Sequence, residues 1–146
     1  MPGPLYLDAS ALLKVYVREA GSSELNEVLA GRDDLIVSDL TVTEIVSALA
    51  RRSRAGALPR EAIRRVQHAI ASRIDEGVFQ RVELTRTVHR RAEHLLVTLD
   101  ATPLRAADAL HLALAQAGRA ASMATYDARL AAAARATGLA VHPALA

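Results

Sequence analysis

Short apolar runs that stop at a polar residue, each followed by a helical repeat, set the rhythm of this chain. Leu5, Tyr6 and Leu7 form a buried-strand pattern that ends at Asp8, and Ser10–Val17 then brings Leu12, Leu13 and Tyr16 to helical spacing. Gly21-Ser-Ser reads as a turn with a capping serine, and Glu24–Leu29 as a second helix. After the polar turn Gly31-Arg-Asp-Asp34, the β-branched run Leu35–Ser38 predicts strand two. Thr41–Arg54 carries Val42, Ile45, Val46 and Leu49 on one face, which predicts an amphipathic helix. Gly56 ends it. Pro59 stands in the first turn of the next helix, which shows Ile63, Val66, Ile70 and Ile74 and stops at Gly77.

The second half repeats the scheme. Val78–Leu84 alternates as strand three, Thr85 caps a helix over about Val88–Leu99, and Asp100-Ala-Thr-Pro103 breaks it. Leu104–Ala117 is a nearly continuous apolar helix with Gly118 at its end. Ala121–Thr125 predicts strand four despite the poor strand propensity of alanine. Ala128–Ala136 is the last helix, and Leu139–His142 an edge strand before Pro143. Strands separated by one or two helices require parallel crossovers, so the fold class is α/β, helices on a parallel sheet of four or five short strands. A chain of 146 residues with no internal repeat and no low-complexity linker reads as one domain over 1–146.

Composition narrows the chemistry. The absence of cysteine removes disulfides, thiolate metal sites and cysteine nucleophiles, which fits a cytoplasmic protein. Met1-Pro-Gly-Pro4 is neither basic nor followed by a long apolar run, so neither a signal peptide nor a membrane span is expected. The net charge is only +2, but Arg51, Arg52, Arg54, Arg60, Arg64 and Arg65 crowd together against the single acid Glu61. Such a stripe is either a solvated helix face or a surface for phosphates.

Four of the carboxylates are out of the ordinary. Asp8 follows strand one directly, and Asp127 follows strand four in the same strand–acid–helix order; either can be a helix cap. Ser10 is an alternative cap for the first helix and would leave Asp8 free. Glu44 fits a capping box in Thr41-Val-Thr-Glu44, yet it borders the small, apolar side of its helix. In Ala106-Ala-Asp-Ala-Leu-His-Leu-Ala-Leu-Ala115 only Asp108 and His111 are polar. A lone charge in so apolar a helix costs several kcal/mol unless it is paired or metal-bound, and a cap explains it least; an Asp108–His111 pair is the best structural alternative. Three of the four fall at or just beyond predicted strand ends, where open α/β sheets bind ligands. Like charges about 4 Å apart repel by roughly 4 kcal/mol at an effective dielectric near 20, so acids converge only around a cation or with some protonated. Oxygen-only ligation selects Mg²⁺ or Mn²⁺, ions that hold phosphates and activate water.

These segments carry a resemblance. Tyr6-Leu-Asp8-Ala-Ser-Ala-Leu-Leu-Lys-Val-Tyr16, Val37-Ser-Asp-Leu-Thr-Val-Thr-Glu44-Ile-Val-Ser-Ala-Leu-Ala-Arg51, Leu104-Arg-Ala-Ala-Asp108-Ala-Leu-His-Leu-Ala-Leu-Ala115 and Met123-Ala-Thr125-Tyr-Asp127-Ala-Arg-Leu130 stand in this order over nearly the whole chain. The chain resembles the PIN-domain ribonucleases, most closely the VapC-type toxins of bacterial type II toxin–antitoxin pairs. The resemblance implies a three-layer α/β/α sandwich of the PIN type and metal-assisted hydrolysis of RNA with water as nucleophile. It implies Asp8 and Asp108 as principal Mg²⁺ ligands, with Mn²⁺ as a substitute. It also implies Glu44 as the acid that completes the cluster and orients a water, Asp127 as a fourth acid, and Thr125 and Ser10 as supporting groups. A cognate antitoxin and homodimerisation are implied as well.

One other class is expected to fail, and two further readings stand as alternatives. An aspartate-nucleophile phosphatase or a receiver domain built on Asp8 would want a lysine late in the chain, and none follows Lys14; the phosphatase also wants an aspartate where Ser10 stands. A non-cleaving binding module, or a PIN nuclease of RNA processing rather than a toxin, shares the fold. The intact set of four acids argues against the former.

Overall fold

The computed structural model describes residues 1–144, so the last two positions of the expected 1–146 domain lie outside the described residues. Along the chain run β1 (Leu5–Leu7), α1 (Ala9–Tyr16), α2 (Ser22–Leu29), β2 (Leu35–Ser38), α3 (Asp39–Arg54), α4 (Arg60–Asp75), β3 (Phe79–Val82), α5 (Arg86–Thr98), α6 (Ala106–Ala117), β4 (Ser122–Ala124), α7 (Ala128–Ala136) and β5 (Ala140–His142). The five strands form one parallel sheet in the order β3-β2-β1-β4-β5. Parallel pairing puts the carboxyl ends of all strands on one edge of the sheet.

The three inner strands β1, β2 and β4 are short because each is a buried run that gives way to a helix or a polar turn within four residues. β1 is wholly buried, and alternation sends its side chains to opposite faces. Leu5 and Leu7 pack with α1–α4 residues such as Leu12, Leu25, Ile45, Leu49 and Ile70. Tyr6 points the other way, into the cluster of Val88, Leu95, Leu112, Leu114 and Leu130 from α5–α7. The sheet is therefore the middle of three layers, as the crossover argument requires. β3 is shorter than the alternating run Val78–Leu84. Gln80 and Arg81 are exposed on this edge strand, and only Phe79 is buried.

Helix starts differ from the sequence expectation in five places. α2 begins at Ser22 behind Gly21, with no side-chain cap in place of the expected capping serine, and α5 begins at Arg86 directly after its cap Thr85. Three more shift for a capping reason. α1 begins at Ala9 because Asp8, not Ser10, is its N-cap and accepts from the Ala11 amide. α3 begins at Asp39, capped by Ser38 through the Thr41 amide, so Thr41 lies inside the first turn and the Thr41–Glu44 capping box does not form. α6 begins at Ala106, two residues later than the apolar run suggests, and Asp108 falls in its first turn. Among the described residues, no helix is long and apolar enough to cross a membrane.

Candidate active site

All four acids singled out in the sequence line one cavity of about 440 Å³ at the carboxyl edge of the sheet. Asp8 leaves the end of β1, Asp127 follows β4, Glu44 projects from α3, and Asp108 from the first turn of α6. Asp8 and Asp108 are buried, Glu44 is half-buried, and Asp127 is exposed. Parallel pairing of Leu7 with Ala124 brings residues 8 and 125 side by side although 117 positions separate them.

Each carboxylate has at least one oxygen fixed by the scaffold. Asp8 Oδ1 accepts from the Ser10 hydroxyl at 2.7 Å and the Ala11 amide at 2.9 Å, and Oδ2 accepts from the Thr125 hydroxyl. Ser10 and Thr125 are themselves pinned to the turn after β4: Ser10 Oγ accepts from the Tyr126 amide at 2.8 Å and Thr125 Oγ1 from the Asp127 amide at 3.1 Å. Asp108 Oδ2 reaches back to accept from the Arg105 amide at 2.9 Å, as the third helical residue of a capping box does. Asp127 Oδ1 accepts from the amides of Arg129 and Leu130 at 2.9 and 3.2 Å and caps α7. Glu44 Oε1 accepts from Nε2 of His111.

The Asp8 carboxyl is pushed above its ordinary range. Burial is the main cause, and the hydrogen bonds from Thr125, Ser10 and Ala11 only partly offset it. Burial likewise pushes the Tyr6 phenol well above its ordinary value, more than the hydrogen bonds to Ser38 and Thr41 offset, so it stays protonated.

Two sequence expectations are corrected here. Asp108 is a helix-capping residue after all: the irregular segment before Ala106 places it at the third helical position. It also does not pair with His111. His111 instead joins Glu44 to Tyr6, whose hydroxyl lies 2.7 Å from Nδ1. Sequence reasoning assigned neither His111 nor Tyr6 to the site. The one legible signal is that His111 stands three positions from Asp108, on the same helix face.

Arginines also reach the cavity. Arg51, Arg105 and Arg129 line it from α3, the N-cap of α6 and α7, and among the described residues none of them forms an ion pair. Of the arginine stripe, only Arg51 belongs here. Arg52 pairs with Glu19 at 2.9 Å, and Arg54, Arg60, Arg64 and Arg65 are exposed.

Among the described residues no three His, Cys, Asp or Glu side chains are drawn close enough to hold an ion as they stand. The donor chemistry nevertheless fits a hard divalent cation. Every available carboxylate donor is oxygen. Among the described residues Asp108 Oδ1, Glu44 Oε2 and Asp127 Oδ2 accept no hydrogen bond, and burial disfavours the ionised form of Asp8.

The site and fold belong to a known class. The family model of the PIN domain matches residues 5–136, and the chain belongs to the PIN-domain family. Within it the chain is similar to the VapC ribonucleases. Ribonucleases VapC45 and VapC49 of Mycobacterium tuberculosis are each 37% identical over 145 residues, covering 96% of this chain and 95% of the relative. Ribonuclease VapC46 of the same organism is 34% identical over 143 residues, with coverage of 94% and 95%. Among solved structures, Mycobacterium tuberculosis VapC20, described as a sarcin-ricin loop cleaving toxin, superposes with a TM-score of 0.69 at 18% identity, covering 89% of this chain and 95% of that one. FitAcB from Neisseria gonorrhoeae gives 0.65 at 17% identity, with coverage of 94% and 96%. At these identities the structures speak for the fold, which is the α/β/α sandwich expected from the sequence.

Proposed function

We propose that this chain is the toxin of a type II toxin–antitoxin pair, an Mg²⁺-dependent endoribonuclease that acts as a single PIN domain in the cytoplasm. The observation that carries this reading is the convergence of Asp8, Glu44, Asp108 and Asp127, from four separate segments, on one cavity in a chain alignable with VapC ribonucleases over nearly its full length. Asp8, Asp108 and Glu44 would hold the cation, with Asp127 completing the set from the rim. Bound there, a divalent cation supplies neutralisation of the acids, polarisation of the scissile phosphate and activation of the attacking water.

The protein's own groups do the rest. Ser10 and Thr125 keep the Asp8 carboxylate in one orientation by donating to both of its oxygens. Glu44, whose Oε2 accepts no hydrogen bond among the described residues, would orient the attacking water and receive its proton. Arg51, Arg105 and Arg129 are the cations that would meet phosphates on either side of the scissile bond. With one phenylalanine, three tyrosines and no tryptophan, the chain has little for base stacking, so recognition leans on RNA backbone and shape. Control in the cell would come from a cognate antitoxin, and a homodimer is the expected assembly.

The test is cleavage of RNA by the purified protein with Mg²⁺ and with EDTA, and sequencing of RNA ends after induction in cells, with Asp8→Asn as control. New RNA ends that depend on Mg²⁺ and vanish in Asp8→Asn support the reading. Cleavage unaffected by Asp8→Asn overturns it.

A further inference from the structure

Three of the four acids are oriented locally. Asp8, Asp108 and Asp127 each accept from amides within three residues of themselves, so their own helix ends fix them. Glu44 has no such tether. It is a longer side chain, half-exposed, in the second turn of α3, and its only hydrogen bond among the described residues comes from His111, 67 positions away. His111 is buried within α6, and its other ring nitrogen faces the Tyr6 hydroxyl at 2.7 Å. Tyr6 Oη lies 2.8 Å from Ser38 Oγ, which in turn takes the Thr41 amide at 3.0 Å, so the chain returns to the first turn of the helix that bears Glu44. With a neutral imidazole the donors run one way: the Ser38 hydroxyl donates to Tyr6 Oη, the Tyr6 hydroxyl to His111 Nδ1, and His111 Nε2–H to Glu44 Oε1. Tyr6 and Ser38 are fully buried. The run from Ser38 to His111 is therefore shielded from competing water, and no buried side-chain polar atom among the described residues lacks a partner.

We propose that His111, held in one tautomer and one ring orientation by Tyr6, is the positioning residue for Glu44. It engages Oε1 and so leaves Oε2 as the oxygen offered to the cavity. This deepens the proposed metal-dependent reading and rests on it. Neither His111 nor Tyr6 is a catalytic residue; both act through the Glu44 carboxylate. Partners of metal-ligating groups typically change metal affinity or activity by about 10–100-fold when removed.

The experiment is Mn²⁺ titration of the metal-free protein by calorimetry, alongside thermal melting, for the wild type, Tyr6→Phe, His111→Ala, His111→Gln and Glu44→Ala, and for the Glu44→Ala/His111→Ala double variant. Tyr6→Phe keeps the ring and removes only the hydroxyl, so it reports even where His111→Ala melts early. His111→Ala is expected to weaken Mn²⁺ binding about 10-fold and Tyr6→Phe several-fold, while His111→Gln, which still presents an N–H, recovers most of the loss. In the Glu44→Ala background, His111→Ala should weaken binding no further. Equal losses from His111→Ala with and without Glu44 overturn the proposal, as does unchanged Mn²⁺ affinity in Tyr6→Phe and His111→Ala. If the wild type binds no Mn²⁺ at all, the metal-dependent reading falls instead, which separates the two failures.

Discussion

The Thr125 hydroxyl donates to Oδ2 of Asp8, tying the end of β4 to the end of β1 at the floor of the acidic cavity. Because β1 and β4 are neighbours in the sheet, this bond is a direct product of strand order. It holds an acid that burial would prefer neutral, and that tension makes Asp8 the most informative position to alter.

Asp8→Asn should abolish RNA cleavage and, in the metal-free protein, raise stability at neutral pH. The folded-state pKa of Asp8 lies above its ordinary value of 3.8, so the folded state loses stability relative to the unfolded chain as pH rises between those two values. The variant's advantage is therefore absent below pH 3.8 and complete above the raised pKa. A gain of about 1 kcal/mol would appear as roughly 2–4 °C in Tm for a chain of this size. Melting in EDTA across pH 3–8 measures it; a variant less stable than wild type at pH 7 contradicts the assignment.

Asp108→Asn and Glu44→Gln should lower cleavage by about 100-fold or more with the fold intact. In Asp108→Asn the side-chain carbonyl can still accept the Arg105 amide, so α6 keeps its cap. Saturating wild-type protein with Mn²⁺ at about 100 times Kd should stabilise it by about 2.7 kcal/mol, and that gain should shrink in both variants. Calorimetric melts with and without Mn²⁺ check this independently of activity.

Arg51→Ala, Arg105→Ala and Arg129→Ala should each raise KM several-fold with a smaller effect on kcat. If each arginine meets one phosphate, the slope of log affinity against log salt should fall by about 0.7–1 per substitution. Arg64→Ala, from the exposed part of the stripe, should leave the slope unchanged. Fluorescence binding of a short RNA to Asp8→Asn protein at several salt concentrations separates the two groups.

Gly21 tests the fold apart from the site. It opens α2 at φ 91°, and a Cβ there would stand 3.1 Å from Tyr126 Cε1. Gly21→Ala should cost about 1–2 kcal/mol and lower Tm by roughly 2–8 °C, with cleavage at low temperature unchanged.

The layered architecture was readable because its signal is local: the inner strands are short apolar runs, the edge strand β3 alternates, and each helix keeps its period for two turns or more. Asp8 and Asp127 were legible for the same reason, as acids at strand ends. Asp108 misled. Its surroundings look like the middle of a buried helix, whereas the start of α6 at Ala106 is set by Arg105 adopting extended backbone, and Pro103, Leu104 and Arg105 include no standard capping residue. Glu44 misled in the opposite sense. Its capping box is a good local pattern, but Ser38 caps α3 first, and the partner that does hold Glu44 arrives from α6 through tertiary packing. Contacts of that range leave no trace in spacing.

The strand order also has a consequence for when the protein becomes dangerous. Asp8 and Glu44 belong to the first half of the chain, and Asp108 and Asp127 to its last third. The central strand β1 waits for β4 on one side while β2 is already available on the other. A growing polypeptide thus carries half of the acidic set, unassembled, from Glu44 until Asp108 has been added. Cutting power would arrive abruptly, once α6 and β4 dock, so the four acids could not act together before that later segment has been made.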